Sequence, residues 1–263
     1  MAAPDAMDTD AVLALLQEVA AEVVDPRFRN LDRDQVSSKG RPGDLVTVVD
    51  REAEERLTAV LRAAYPDALV LGEEAVHADP GLRDRFEHAE HAFTVDPVDG
   101  TRQFVKGSPH HAMMLAELRR AEVVRSWIWQ PQHRTAYVAE QGAGAWRDGV
   151  RLQRAPVEAT PSLEGRSWPR RAIGVARRLR FTSVCCGIDY GRLASGEADH
   201  AVYVRTQPWD HAPGSLLLRE AGGWMGTASG EAYRPQAPRP RRLVAAGDRA
   251  TYDLVRGLLP GRR

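Results

Sequence analysis

The segment Thr94-Val95-Asp96-Pro97-Val98-Asp99-Gly100-Thr101 sets the tightest limit on how this chain folds. Asp96 closes a short apolar run, Ala92 to Val95, that reads as a strand, and Pro97 has no N–H with which to continue a ladder. The backbone is therefore expected to turn there and bring Asp99 back toward Asp96. Two carboxylates on one spot repel and raise one another's pKa unless a cation neutralises them. Mg²⁺ suits such a place, because it takes carboxylate oxygens, keeps several waters and accepts substrate phosphate as a further ligand. Gly100-Thr101 reads as the start of a helix whose N–H groups would hold a phosphate. The same letters also make an ordinary surface turn, since Asp, Pro and Gly each favour turns for backbone reasons.

The elements around this segment follow from periodicity. Val12, Leu15, Leu16, Val19 and Val23 recur at helical spacing behind an Asp/Thr capping cluster, with Pro26 beyond them. The polar stretch Ser37 to Asp44 reads as a loop. A second helix is expected from about Asp50, with Ala53, Leu57, Val60, Leu61 and Ala64 on one face and Pro66 as its stop. Strand-length apolar runs follow: Ala68 to Leu71, Ala92 to Val95, Ala112 to Leu118, Glu122 to Ile128 and Thr135 to Ala139. Asp148-Gly149 is a two-residue hairpin signal. Beyond Pro156 and Pro161, runs at Ala172 to Val175, Ala201 to Val204 and Leu243 to Ala246 alternate with helices expected near Asp189 to Ser195, Asp210 to Ala221 and Asp248 to Leu259. The reading is an α/β fold: an α+β subdomain over residues 1–155 and an α/β subdomain over 156–263.

Composition removes whole classes of function. The 263 residues carry 36 Lys+Arg against 36 Asp+Glu, so no net charge draws the chain to nucleic acid or an anionic membrane. Lys39 and Lys106 are the only lysines, and the arginines are scattered. No apolar run approaches the ~20 residues of a membrane span, and the opening MAAPDAMDTDAV lacks the features of a signal peptide. Cys185 and Cys186 are sequence neighbours, which rarely meet disulfide geometry, so a reduced, cytoplasmic setting is expected.

Two further segments bear on the choice between a metal site and a turn. Gly72-Glu73-Glu74 follows the run Ala68 to Leu71, and Trp209-Asp210 opens a helix ending in Glu220-Ala221-Gly222-Gly223. Together GEE at 72–74, DPVDGTRQF at 96–104 and WDHAPGSLLLREAGG at 209–223 resemble the inositol monophosphatase family of Mg²⁺-dependent, lithium-sensitive phosphatases. Asp44 to Asp50, with Lys39 before it, also resembles the corresponding stretch of that family. The motifs stand in the family's order over roughly residues 39–223.

The resemblance implies a layered αβαβα sandwich and two Mg²⁺ ions. Glu73, Asp96 and the carbonyl of Val98 would bind the first, and Asp96, Asp99 and Asp210 the second, with a third ion held through water by Glu73 beside the Lys39–Asp44 loop. One metal would activate a water that Thr101, hydrogen-bonded to Asp50, orients and deprotonates, while the other would stabilise the leaving oxygen. Gly100, Thr101, Asp99, Tyr203 and Lys39 would contact the phosphate or the substrate. A homodimer and lithium inhibition are implied by the same likeness.

Departures from the family's pattern concern the substrate more than the metal. Gln103 stands where Asn is usual, and Pro213 replaces a small residue near the start of the Trp-Asp helix. Inositol-selective members carry a glutamate six residues before the Trp, where this chain has Tyr203, whose ring would stack a base or a histidine-derived group or else fill the cleft. The expected function is a phosphomonoesterase of inositol-1-monophosphatase type. The alternatives are histidinol phosphate, 3′-phosphoadenosine 5′-phosphate or fructose 1,6-bisphosphate as substrate, and, in another class, a catalytically silent metal- or phosphate-binding protein. Glu74 and Glu220 are read as structural, His110 and His111 as pointing to different faces rather than as ligands, Cys185-Cys186 as small buried hydrophobes, and Arg166 to Arg180 as a solvated basic face.

Overall fold

The computed structural model describes residues 7–38, 45–157, 185–204 and 206–259. Helix α1 (Thr9–Val19) is capped by Asp8, whose carboxylate accepts the N–H of Ala11 at 2.7 Å. It does not stop before Pro26: a π-helical turn, Ala20–Val24, and a 3₁₀ turn, Asp25–Arg27, carry the chain through the proline, which sits in the turn's first positions where its missing N–H costs nothing. Strands β1 (Val36–Ser38) and β2 (Leu45–Thr47) form an antiparallel pair leading into α2 (Val48–Ala64). Val60, expected on the buried face of α2, is 39% exposed, and Glu54 takes a place in the buried stripe.

Then follow β3 (Leu69–Gly72), α3 (Glu73–Ala78), α4 (Leu82–Glu87), β4 (His91–Asp99), α5 (Thr101–Val105), β5 (Ala112–Arg119), β6 (Glu122–Gln130), β7 (Thr135–Glu140), β8 (Gly144–Arg147) and β9 (Val150–Leu152). Strands β3 to β9 form one seven-stranded sheet in sequence order, with β3 and β4 parallel and every other neighbouring pair antiparallel. Asp148 (φ 50°) and Gly149 (φ 78°) both occupy the left-handed region between β8 and β9, as a tight hairpin of that type requires.

Strand β4 does not end at Asp96. Pairing passes from Asp96↔Met114 to Asp99↔Ala112, so Pro97 and Val98 stand opposite the single residue Met113 in a bulge that absorbs the proline's missing donor. The expected turn is thus a kink within a strand that resumes at Asp99.

The second part contains α6 (Cys186–Ala194), β10 (His200–Tyr203), α7 (Pro208–Glu220), β11 (Trp224–Thr227), β12 (Leu243–Ala246) and α8 (Arg249–Leu258). Here the three described strands are antiparallel in the order β10-β12-β11, and β11 was not anticipated from the sequence. The runs at 158–184, including Ala172 to Val175 and the basic stretch Arg166 to Arg180, lie outside the described residues, as do Lys39 and the loop to Asp44. Because α7 begins at Pro208, Pro213 falls in its second turn rather than its first and removes the bond that residue 213 would give Trp209.

Burial arranges these elements in layers. Period-two alternation sends Phe93, Val95, Met113 and Leu115 to the face covered by α1 and α2, and Ala92, Met114, Ala116 and Ile128 to the face covered by α6 and α7. The same alternation in the small sheet sends Ala201, Tyr203, Leu243 and Ala245 toward α7, and Val202, Val244 and Ala246 toward α8. Helices, sheet, helices, sheet and helix therefore stack as αβαβα, and one continuous core joins the two halves of the chain. Among the described residues, no helix is long and apolar enough to cross a membrane.

Candidate active site

The site forms where β3 ends beside the kink in β4, facing the N-termini of α2, α5, α6 and α7. Register explains the meeting: Gly72 pairs with Val95, so Glu73 leaves β3 at the level where Asp96 enters the bulge of its parallel neighbour β4. Helix α7 packs across β4 to β8 and delivers Asp210 in its first turn to the same spot. Ligand oxygens of Glu73, Asp96 and Asp210 all lie within 4.8 Å of one another.

Asp96 is 2% exposed, and its carboxyl is pushed well above the usual range, first by burial and then by the charges of Glu73, Asp99, Asp210 and Asp50. An all-oxygen, mutually repelling donor set with Asp96 buried at its centre fits a hard divalent cation, whose charge would turn the repulsion into attraction.

Asp50 has two tasks. It is the third residue of α2, and its Oδ2 accepts the Thr47 N–H at 2.8 Å and the Thr47 hydroxyl at 2.6 Å, closing a capping box. Its Oδ1 lies 3.1 Å from the Thr101 hydroxyl, which is also 3.1 Å from the Val98 carbonyl. Gly100 precedes α5 with φ 83°, and a Cβ there would crowd Cys185 Cβ at 3.1 Å and the His110 carbonyl at 3.2 Å, so a glycine is needed to start this helix against its neighbours.

Asp99 stands slightly apart from the tight trio. Its Oδ2 accepts the Gly187 N–H at 2.6 Å and the Cys185 thiol at 2.9 Å, tying β4 to the N-terminus of α6. Cys185 is accordingly more than the small hydrophobe expected of it, and half-buried Cys186 groups with Asp210 and His211.

Tyr203 is 5% exposed, its ring packed at 5.5 Å from Tyr190 and 4.7 Å from His211 between centroids. Its hydroxyl has no hydrogen-bond partner among the described residues.

The remaining expectations separate cleanly. Glu220 accepts the Gly142 N–H and has a structural place. His111 is buried with Nδ1 on the Ser108 carbonyl, whereas His110 stacks on His133 at 5.3 Å. Sequence reasoning missed Glu54, which is buried and whose two oxygens accept the N–H groups of Glu74 and Ala75 at 2.7 Å each. It thereby anchors the first turn of α3 and with it Glu73. The signal was there: Glu54 lies one turn after Asp50 in the stripe that contains Ala53, Leu57 and Leu61. Gly72 makes room for it, since a Cβ at that position would fall 2.2 Å from Glu54 Cδ.

The chain is thus a five-layered α/β protein in which carboxylates of three separate elements meet beside a paired hydroxyl and carboxylate. Residues 6–260 match the inositol monophosphatase family, and the chain belongs to it. It is 32% identical over 218 residues to an inositol-1-monophosphatase of Rhizobium meliloti, covering 77% of this chain and 79% of that protein. It is also 30% identical over 225 residues to the Nus factor SuhB of Pseudomonas aeruginosa, covering 77% and 80%. The structure of an IMPase from Thermotoga maritima superposes with a TM-score of 0.79 at 25% identity, covering 95% of this chain and 96% of that one.

Proposed function

We propose that this chain is a Mg²⁺-dependent phosphomonoesterase releasing phosphate from a small soluble ester, of inositol-1-monophosphatase type. The observation that carries this reading is the approach of Glu73, Asp96 and Asp210, from three separate elements, to within 4.8 Å beside the Thr101–Asp50 pair. Glu73, Asp96, the Val98 carbonyl, Asp99 and Asp210 would hold the Mg²⁺, which supplies Lewis acidity for activating water and neutralising charge on the phosphate and leaving group.

The chain's own residues do the rest. Asp50 is fixed by Thr47 and accepts the Thr101 proton, which leaves lone pairs of the Thr101 oxygen facing a water and able to orient it for attack. As that water gives up its proton, the pair passes it through Thr101 to Asp50. The first N–H groups at Gly100 and Thr101 hold phosphate oxygens, and Lys39 adds positive charge.

Substrate choice rests on the leaving-group side. Tyr203 offers no carboxylate to sugar hydroxyls, so histidinol phosphate, 3′-phosphoadenosine 5′-phosphate and fructose 1,6-bisphosphate stand beside inositol 1-phosphate as candidates. A homodimer, lithium inhibition and a cytoplasmic location belong to the same reading. The kinship with proteins named Nus factor SuhB favours a second one, a binding protein that keeps the fold without turnover. Phosphate release from the four substrates, with Mg²⁺ and with a chelator, decides between them: metal-dependent release from at least one supports the enzyme, and none from any supports the binding protein.

A further inference from the structure

Asp210 belongs to two donor groups. One is the all-oxygen set with Glu73 and Asp96; in the other, the Cys186 sulfur, an Asp210 oxygen and a ring nitrogen of His211 lie within 4.8 Å of one another. The second set has different chemistry. Thiolate, imidazole and one carboxylate suit zinc and its heavier analogue cadmium, whereas Mg²⁺ avoids sulfur and nitrogen. Three protein ligands with an open fourth position is a common zinc arrangement.

The surroundings support His211 as a ligand. The Tyr190 hydroxyl lies 2.9 Å from His211 Nδ1 and 3.5 Å from Met225 Sδ. With the hydroxyl proton on the sulfur, the Tyr190 oxygen accepts Nδ1–H, the kind of outer hydrogen bond that orients a metal-binding histidine. The imidazole is held on its other side by the Tyr203 ring at 4.7 Å, and the 5%-exposed Tyr203 hydroxyl has no partner among the described residues. Cys186 is half-buried at the start of α6 and groups with Asp210 and His211, unlike Cys185, whose thiol is turned onto Asp99.

We propose that Cys186, Asp210 and His211 form a second metal site, selective for zinc-class cations, which competes with the Mg²⁺ cluster for Asp210. A cation entering it forms a metal–sulfur bond as the Cys186 thiol proton passes to solvent. Zinc-class ions would thus inhibit by withdrawing Asp210 from the catalytic set, a consequence that rests on the function proposed above. Occupancy of the site does not depend on that function.

The test is a Cd²⁺ titration of the intact protein, followed by the ultraviolet thiolate-to-cadmium charge-transfer band. The band is expected in the wild type, retained in Cys185→Ser and lost in both Cys186→Ser and Cys186→Ala, with thermal melts showing that the variants are folded. Zn²⁺ should displace Cd²⁺, and Mg²⁺ at about ten times its own Kd should weaken Cd²⁺ binding by about tenfold, as competition for Asp210 requires. Absence of the band, its survival without Cys186, or indifference to Mg²⁺ would overturn the proposal. Since the band reads binding alone, it stands or falls separately from phosphatase activity.

Discussion

The Thr101 hydroxyl sits 3.1 Å from Asp50 Oδ1, linking the start of α5 to the start of α2. The other oxygen of Asp50 is fully engaged by Thr47, so the carboxylate cannot rotate away without breaking a helix cap. Thr101→Ala is expected to lower kcat by about 10²–10⁴, the usual range for a lost proton-transfer group, with little change in Mg²⁺ affinity. Thr101→Ser should retain most of the activity. Steady-state kinetics with a parallel Mg²⁺ titration checks both.

Asp96 predicts an unusual pH dependence for the metal-free protein. Its folded-state pKa is raised by burial and by four neighbouring carboxylates, so its contribution to stability is present below the ordinary carboxylate pKa and is lost as pH rises through the elevated one. Thermal midpoints in chelator should therefore fall from mildly acidic to neutral pH. Mg²⁺ should restore them, by about 2.7 kcal/mol at a concentration 100 times its Kd. In Asp96→Asn the chelated protein should be less pH-sensitive than wild type, the Mg²⁺ effect should largely vanish, and most activity should be lost.

The opposite sign holds at Glu117. This carboxylate is buried, which alone would raise its pKa, but His91, Arg125 and Arg119 bond to it and hold it at about 2. Its stabilisation is present above the ordinary glutamate pKa and is lost as pH falls below that value and through about 2. Arg125 also reaches the Met7 carbonyl and the Tyr65 hydroxyl, so the cluster ties the chain before α1 and the end of α2 to the sheet. Glu117→Gln should cost about 3–5 kcal/mol in denaturant unfolding while leaving metal binding intact.

Gly72→Ala tests how Glu73 is positioned. The added methyl would fall 2.2 Å from Glu54 Cδ and expel the carboxylate that anchors α3. Mg²⁺ affinity should drop about 10–100-fold although no proposed ligand is changed, and Glu54→Gln should show a smaller loss. Metal titration of the two variants provides the comparison.

Much of this was legible in the letters because the motifs are local. Gly100-Thr101 marked the start of α5, and strand-length apolar runs marked β5, β6 and β7. What was missed depended on pairing at a distance. The bulge at Pro97 needs β5 as a partner before it can form, and β11 is recognisable only once β12 lies beside it. Glu54 stood visibly in an apolar stripe but without a visible partner, since only the fold places the first N–H groups of α3 over it. Likewise the two adjacent cysteines look alike in sequence, and the start of α6 sends one to Asp99 and groups the other with Asp210.

The central claim is that carboxylates from both halves of the chain make one cation centre. Calorimetric titration of Mg²⁺ into the wild type and into Asp210→Asn tests it most directly. Saturable binding by the wild type, weakened about tenfold or more in the variant, is the predicted result. Identical isotherms for the two proteins, or no binding to either, would contradict it.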